Sequence, residues 1–201
     1  MSFDTPFAVA AARNARPILG VVEHELAGCA EVLEIGSGTA QQAVVFASEM
    51  PWLQWQTSDL AEYHDAIRAQ LANAELSNVA PPLLLDVLNA DPVPDRYDAV
   101  YASNTAHIMS QDAVESMFDY VGKTLKAGGL FILYGPFRLD GEFTTESNAA
   151  FDGNLRAQDP SMGLRDLEVL DGLAAGSGLR RRRMFAMPSN NFLLIWAKET
   201  V

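Results

Sequence analysis

Val32-Leu33-Glu34-Ile35-Gly36-Ser37-Gly38-Thr39-Ala40 is the stretch that decides the fold. Apolar residues and one carboxylate run straight into a glycine-rich turn, and an apolar helical pattern follows directly, so the segment reads as strand, turn and helix. Gly36 and Gly38 lack a Cβ, which opens positive φ angles and lets a ligand approach the main chain closely. A Gly-x-Gly pair by itself also occurs in ordinary turns. Two acids strengthen the reading. Glu34 stands at the carboxyl end of the strand, where it can accept hydrogen bonds from a cationic or hydroxylated ligand group. Asp59 follows the next strand-like run, 53–57, about 20 positions after Gly38, where nucleotide-binding βαβ units catch a pair of ribose hydroxyls.

Before the turn, residues 5–27 read as helical, with Pro6 near the start and Pro17 interrupting the helix after Arg16. Arg13 and Asn14 are polar in an alanine-rich stretch, suited either to fold over a ligand or to face solvent. After the turn, a helix at 39–49 is expected, capped by Thr39 and ended by Pro51, with Ala40 unstrained in its first turn. Strand 53–57 passes through Ser58-Asp59 into a helix at 61–74. Leu83-Leu84-Leu85-Asp86 is a continuous apolar run closed by an acid, the pattern of a buried parallel strand, with the start of a turn at Asp86 as the alternative.

Residues 97–102 read as the fourth strand and lead into Ser103-Asn104-Thr105-Ala106-His107-Ile108. Ligands of open α/β sheets lie outside the carboxyl ends of the strands, so His107 is better placed for chemistry than His24 or His64. A helix at 111–125 ends at Lys126-Ala127-Gly128-Gly129, and strand 130–134 opens into Gly135-Pro136-Phe137-Arg138. The segment 139–164 reads as a loop-rich insertion, of a length usually seen when a loop binds something or moves. A helix at 165–175 and two strands, 179–187 and 192–198, joined as a hairpin by Pro188-Ser189-Asn190-Asn191, complete the reading. The expectation is one α/β domain over 1–201, with 1–28 as an N-terminal helical extension and 139–164 as an insertion on the substrate side.

Composition narrows the partners. A chain of 201 residues, 49% hydrophobic and 20% charged, suits a globular domain with a sizeable core. No apolar run approaches the roughly 18 residues of a membrane span. Met1-Ser2-Phe3-Asp4-Thr5-Pro6 lacks the basic start and apolar core of a secretion signal, so a cytoplasmic protein with no membrane partner is expected. Cys29, the single cysteine, leaves no internal disulfide or cysteine-rich zinc site, and no histidine pair has metal-ligand spacing, so no metal is expected. The net charge of −12 repels a phosphate backbone and favours a small-molecule partner over nucleic acid. The basic run Arg180-Arg181-Arg182-Arg183, the one cluster that could serve nucleic acid instead, reads first as the solvated start of a strand.

Glu34-x-Gly36-x-Gly38 after the first strand, Asp59 after the second and Asp86 after the third together resemble the class I S-adenosylmethionine-dependent methyltransferases. Dinucleotide-binding dehydrogenases fit less well, because their G-x-G-x-x-G needs a glycine where this chain has Gln41. Ala40 replaces the third glycine of the methyltransferase pattern. Later motifs narrow the match: Asn104-Thr105-Ala106-His107-Ile108, Leu133-Tyr134-Gly135-Pro136-Phe137-Arg138, Ser147-Asn148, Phe151-Asp152, Gly163-Leu164-Arg165-Asp166 and Met187-Pro188-Ser189-Asn190-Asn191 resemble the methyltransferase-like 26 family, formerly a domain of unknown function. The similarity also takes in Arg13-Asn14 and Pro81-Pro82-Leu83-Leu84-Leu85-Asp86. It implies a Rossmann-like class I methyltransferase fold: α/β, a seven-stranded, mostly parallel sheet with an antiparallel last strand, and helices on both faces. It also implies S-adenosyl-L-methionine as cofactor and S-adenosyl-L-homocysteine as product. No particular acceptor is implied.

On that resemblance the cofactor-binding set is Arg13, Asn14, Glu34, Gly36, Ser37, Gly38, Asp59, Leu60, Asp86, Val87 and Asn104. Glu34 and the turn hold the methionine part, Asp59 the ribose and Asp86 the adenine amino group. His107, Asn104 and Tyr134 are the catalytic candidates, with His107 as a proton acceptor because an unperturbed imidazole titrates near neutral pH. On the acceptor side, Tyr134, Phe137 and Phe151 wall an apolar slot, Asn148 joins them, and Arg138, Arg156 and Arg165 offer bidentate bonds to a carboxylate or phosphate. The expected activity is in-line methyl transfer to a small anionic or amphipathic acceptor. Two other readings share parts of this signature: a binding or regulatory protein that keeps the cofactor without turnover, and a nucleotide-dependent oxidoreductase, against which Gln41 argues. Oligomeric state has no signature in this sequence.

Overall fold

The computed structural model describes the backbone of residues 6–200 and the side chains of residues 14–200. The chain forms two compact units, Met1–Asp86 and Val87–Val201.

The first unit holds α1 (Pro6–Glu25), β1 (Glu31–Ile35), α2 (Gln41–Glu49), β2 (Gln54–Asp59), α3 (His64–Ala74) and β3 (Val79–Leu84). β2 pairs in parallel with β1 on one side and β3 on the other. Parallel neighbours need a crossover, and the helices supply it. Phe46 from α2 meets Trp55 from β2 edge to face at 5.6 Å. The Asn78 side chain donates to the carbonyls of Ala47 and Leu53, fastening the end of α2 to the strand that follows.

Three expectations change here. Pro17 does not interrupt α1, which runs through it to Glu25. A helix-interior proline costs about 3 kcal/mol, but Ile18, Leu19 and Val22 are buried on the same helix, and each such side chain returns ~1.5–3 kcal/mol. The helix at 61–74 is split into a 3₁₀ turn, Ala61–Tyr63, and α3. The run at Leu83-Leu84 is not a buried strand: these residues are 44% and 67% exposed and lie on β3, whose partner in this unit is β2 alone. Pro81 and Pro82 fit that edge position, since proline cannot donate to a further ladder.

The second unit holds β4 (Tyr97–Ser103), α4 (Gln111–Thr124), β5 (Leu125–Gly135), β6 (Phe137–Leu139), β7 (Glu142–Phe143), α5 (Glu146–Gln158), β8 (Arg165–Asp166), α6 (Leu167–Gly176), β9 (Leu179–Met187) and β10 (Asn191–Lys198). β4 and β5 are parallel; β10 runs antiparallel to both β5 and β9. Ser110 caps α4 by accepting from Ala113 N–H. Val114, Met117, Phe118 and Val121 form its buried stripe at helical spacing. Phe118 packs edge-on against Phe131 and Trp196, which stack on each other at 5.6 Å. Gly122 faces the Ser177 carbonyl so closely that an added Cβ would lie 2.3 Å from it.

The segment 139–164 is not loop-rich. β6, β7 and β8 make a small second sheet, and α5 is a 13-residue helix capped by Thr145, whose hydroxyl accepts from Asn148 N–H. No helix among the described residues is long and apolar enough to cross a membrane.

Candidate functional site

In the first unit, β1 delivers the chain into the glycine turn. Gly36 and Gly38 take φ of 72° and 60°, and nothing lies within 4 Å of where a Gly38 Cβ would stand. Thr39 is not the cap of α2. That position belongs to Ala40, buried with φ 56°, so the alanine occupies the left-handed conformation rather than a helical turn. This costs an L-residue about 1–2 kcal/mol, which marks the turn as held by its surroundings.

The holding bonds come from the end of β2. Gly36 and Ser37 N–H both donate to Ser58 O, and Ser58 Oγ donates to Glu34 O at 2.6 Å. Gly38 N–H donates to Asp59 Oδ2 at 2.7 Å and Leu60 N–H to Oδ1 at 2.8 Å. Burial pushes the Asp59 carboxyl above its ordinary range, against the pull of those two bonds. Glu34 is 3% exposed; its Oε2 accepts from Ser37 Oγ and Trp55 Nε1. Burial raises its pKa to about 7, the two bonds opposing. Glu34, Ser37, Gly38, Asp59 and Leu60 therefore form one bonded cluster. Trp55 and Ser58 belong to it as well, and only their contacts reveal this.

Asn14 is buried on α1, and Leu60 is exposed. The Arg13 side chain lies outside the described residues. Asp86 is half-buried just beyond β3, and Val87 is buried. Gln41 Oε1, in the first turn of α2, is buried with no hydrogen-bond partner among the described residues. Open space beside Gly38, an orphaned acceptor at Gln41 and two buried acids fit a ligand that brings its own hydroxyl and ammonium donors.

In the second unit, Asn104 follows β4 at φ 55°, its N–H donating to Tyr134 O at 2.9 Å. Tyr134 itself is buried, and its hydroxyl accepts from Asn191 Nδ2. His107 is 4% exposed, meets Phe151 edge to face at 5.3 Å, and accepts Gly163 N–H at its carbonyl. A Cβ on Gly135 would lie 3.6 Å from His107 Nδ1 and 3.8 Å from Phe137. His107, Phe137 and Phe151 thus come together. The imidazole does not titrate near neutrality, however: burial and then the charge of Arg165 lower its pKa to about 4. Asn148 braces structure, its amide donating to Thr144 Oγ1 and Asn190 O.

The three arginines also converge. Arg138, Arg156 and Arg165 line one groove of about 320 Å³ with Gln111, Leu164 and Asp166. Among the described residues no group of three His, Cys, Asp or Glu side chains is arranged to hold a metal ion.

Seven strands build the main sheet, mostly parallel with β10 antiparallel and helices around it, and this is the class I methyltransferase fold. The chain belongs to the family described as "Protein of unknown function (DUF938)", whose sequence model matches residues 5–198. Among solved structures it is similar to an O-methyltransferase family protein from Burkholderia thailandensis, at 18% identity and TM-score 0.82, over 96% of this chain and 59% of that one. It is similar to human N-acetylserotonin methyltransferase in complex with SAM, at 16% and 0.77, over 93% and 52%. PigF with SAH matches at 17% and 0.79, over 98% and 60%. The chain spans little more than half the length of these proteins, and at identities this low the likeness shows the fold alone.

Proposed function

We propose that this chain is an S-adenosylmethionine-dependent methyltransferase that acts on a small-molecule acceptor by in-line displacement, and that its kin are the methyltransferase-like 26 proteins. The observation that carries the proposal is the glycine turn bonded to Asp59, on a fold shared with proteins whose structures contain SAM or SAH. Glu34, Ser37 and the turn hold the amino-acid end of the cofactor, with Arg13 and Asn14 beside them. Asp59 with Leu60 holds the ribose, and Asp86 with Val87 the base. When bound, the cofactor supplies a methyl group already activated on a sulfonium.

The protein's remaining work is to position the nucleophile and exclude water. Asn104 orients the reacting partner, and Tyr134 acts by position, its carbonyl fixing Asn104 N–H. His107, kept neutral by burial, accepts a hydrogen bond from a hydroxyl or amine acceptor and orients it, and the proton released on methylation passes to solvent. Phe137 and Phe151 give the acceptor an apolar wall. The test is transfer of isotope-labelled methyl from S-adenosylmethionine across a panel of hydroxylated, amine and carboxylate small molecules. Labelled product with at least one acceptor is expected.

Two observations favour a second reading, a cofactor-binding protein without turnover. The His107 imidazole is a weak base, and the Tyr134 hydroxyl is already engaged by Asn191. Cofactor binding with no labelled product across the panel would select that reading.

A further inference from the structure

The arginine groove lies wholly within the second unit, and its lining combines cationic edges with an apolar floor. Val169, 49% exposed, supplies the accessible part of that floor, and Leu164 and Leu170 are buried behind it. A volume of about 320 Å³ falls at the small end of the range for ligand sites, roughly 300–1,000 Å³.

The guanidinium groups are not equivalent. Arg165 donates to the carbonyls of Ala106, Met109 and Ser161 and to Gln111 Oε1, so it holds the segment after β4 in place and lends the groove charge rather than donors. Arg138 directs Nε and Nη2 at Gly141 O, pairs through Nε with Asp166 Oδ2 at 3.9 Å, lies over the Phe143 ring at 5.4 Å, and leaves only Nη1 without a hydrogen bond among the described residues. Arg156 gives Nε to Asp152, and both of its Nη groups are likewise unbonded there. Arg156 reaches this position because residue 163 is glycine: a Cβ there would stand 2.4 Å from Nη2. Arg156 and Arg165 repel each other, and that repulsion adds to burial in lowering the Arg165 pKa. An anion between them relieves it. Asp166 in the lining sets a limit, since it opposes a dianionic phosphate more than a singly charged carboxylate.

We infer that this groove binds a small amphipathic carboxylate, its acid group on the unbonded Nη donors of Arg138 and Arg156 and its apolar body on the exposed Val169. The groove wall is tied to the segment carrying His107, through Arg165 to Ala106 O and Gly163 N–H to His107 O. That this acid is the methyl acceptor rests on the methyl-transfer reading; the site itself does not.

The experiment is calorimetry on the full chain without cofactor, using octanoate, octanamide as its neutral counterpart, and inorganic phosphate. Octanoate saturates one site, and both comparators bind at least about tenfold more weakly. Arg156→Gln and Arg138→Gln each weaken octanoate by about tenfold or more. Val169→Glu, on the exposed part of the floor, does the same by repulsion while leaving every arginine contact intact. Absence of octanoate binding overturns the inference. So does octanamide or phosphate binding as tightly as octanoate, or Val169→Glu behaving as wild type. Octanoate binding by a protein that transfers no methyl group upholds the groove and removes the methyl-transfer reading instead.

Discussion

Gly38 donates its backbone N–H to Asp59 Oδ2 at 2.7 Å, so the turn after β1 and the acid ending β2 are a single hydrogen-bonded assembly. The same carboxylate takes Leu60 N–H on its other oxygen. Replacing Asp59 by alanine leaves both donors without that partner. An unsatisfied donor costs ~1–3 kcal/mol when buried, and these two bonds are only part-buried, so Asp59→Ala should lower folding stability by about 1 kcal/mol in urea unfolding, and Asp59→Asn by less. Wild-type stability in Asp59→Ala would contradict the assigned bonds.

Glu34 gives the stability a distinct pH dependence. Its folded pKa of about 7 lies above the ordinary 4.5, so between those values the folded protein holds a proton that the unfolded chain releases. Its contribution therefore favours folding at low pH and is lost as pH rises from 4.5 through 7. The difference in unfolding free energy between wild type and Glu34→Gln should shift by a few kcal/mol in order of magnitude across that window, to the disadvantage of wild type at the upper end. Equal pH slopes for the two proteins would remove the effect. Trp55, which donates to Glu34, should report the same ionisation in its fluorescence.

His107 behaves in the opposite sense. Its folded value of about 4 lies below the ordinary 6.5, so as pH falls through this range the unfolded chain takes up the proton first and stability drops. The His107 ring resonances should titrate near pH 4 by NMR, and methyl transfer should show no His107 ionisation between pH 6 and 8. A ring midpoint above 6 would restore this residue as a general base.

Two glycines in the β6–β8 region predict opposite signs. Gly163 sits at φ 140°, and a Cβ there would meet Arg156 Nη2 at 2.4 Å and Asp152 Oδ1 at 2.7 Å. Gly163→Ala should destabilise by about 1–3 kcal/mol. Gly153 lies inside α5 with open space around it. Gly153→Ala should stabilise by about 0.5–1 kcal/mol. Thermal unfolding of the two variants side by side checks both.

Strand and helix periodicity makes β1, β2, β4 and the β9–β10 hairpin legible in the sequence, and the glycine turn identifies itself by composition. What escapes depends on distant partners. Leu83 and Leu84 have the same apolar pattern on an edge strand as in a buried one, and only Pro81 and Pro82 hint at the edge. The helix α5 hides behind polar residues and Gly153, because its stability comes from packing and from the Thr145 cap rather than an apolar stripe. Ser58 and Trp55 carry no motif, yet they fix the turn and Glu34 through bonds between chain segments far apart in sequence. The three arginines are recognisable as candidates. Burial separates Arg165, which braces the backbone, from Arg138 and Arg156, which keep unbonded Nη donors.

The measurement that bears most directly on the central claim is calorimetric titration with S-adenosylmethionine and S-adenosylhomocysteine, repeated on folded Asp59→Ala and with a nicotinamide dinucleotide as control. The account predicts micromolar binding of both sulfur ligands, on the order of −8 kcal/mol, loss of that binding in the variant and no heat with the dinucleotide. Failure of both sulfur ligands to bind wild type, or saturable binding of the dinucleotide in their place, would contradict it.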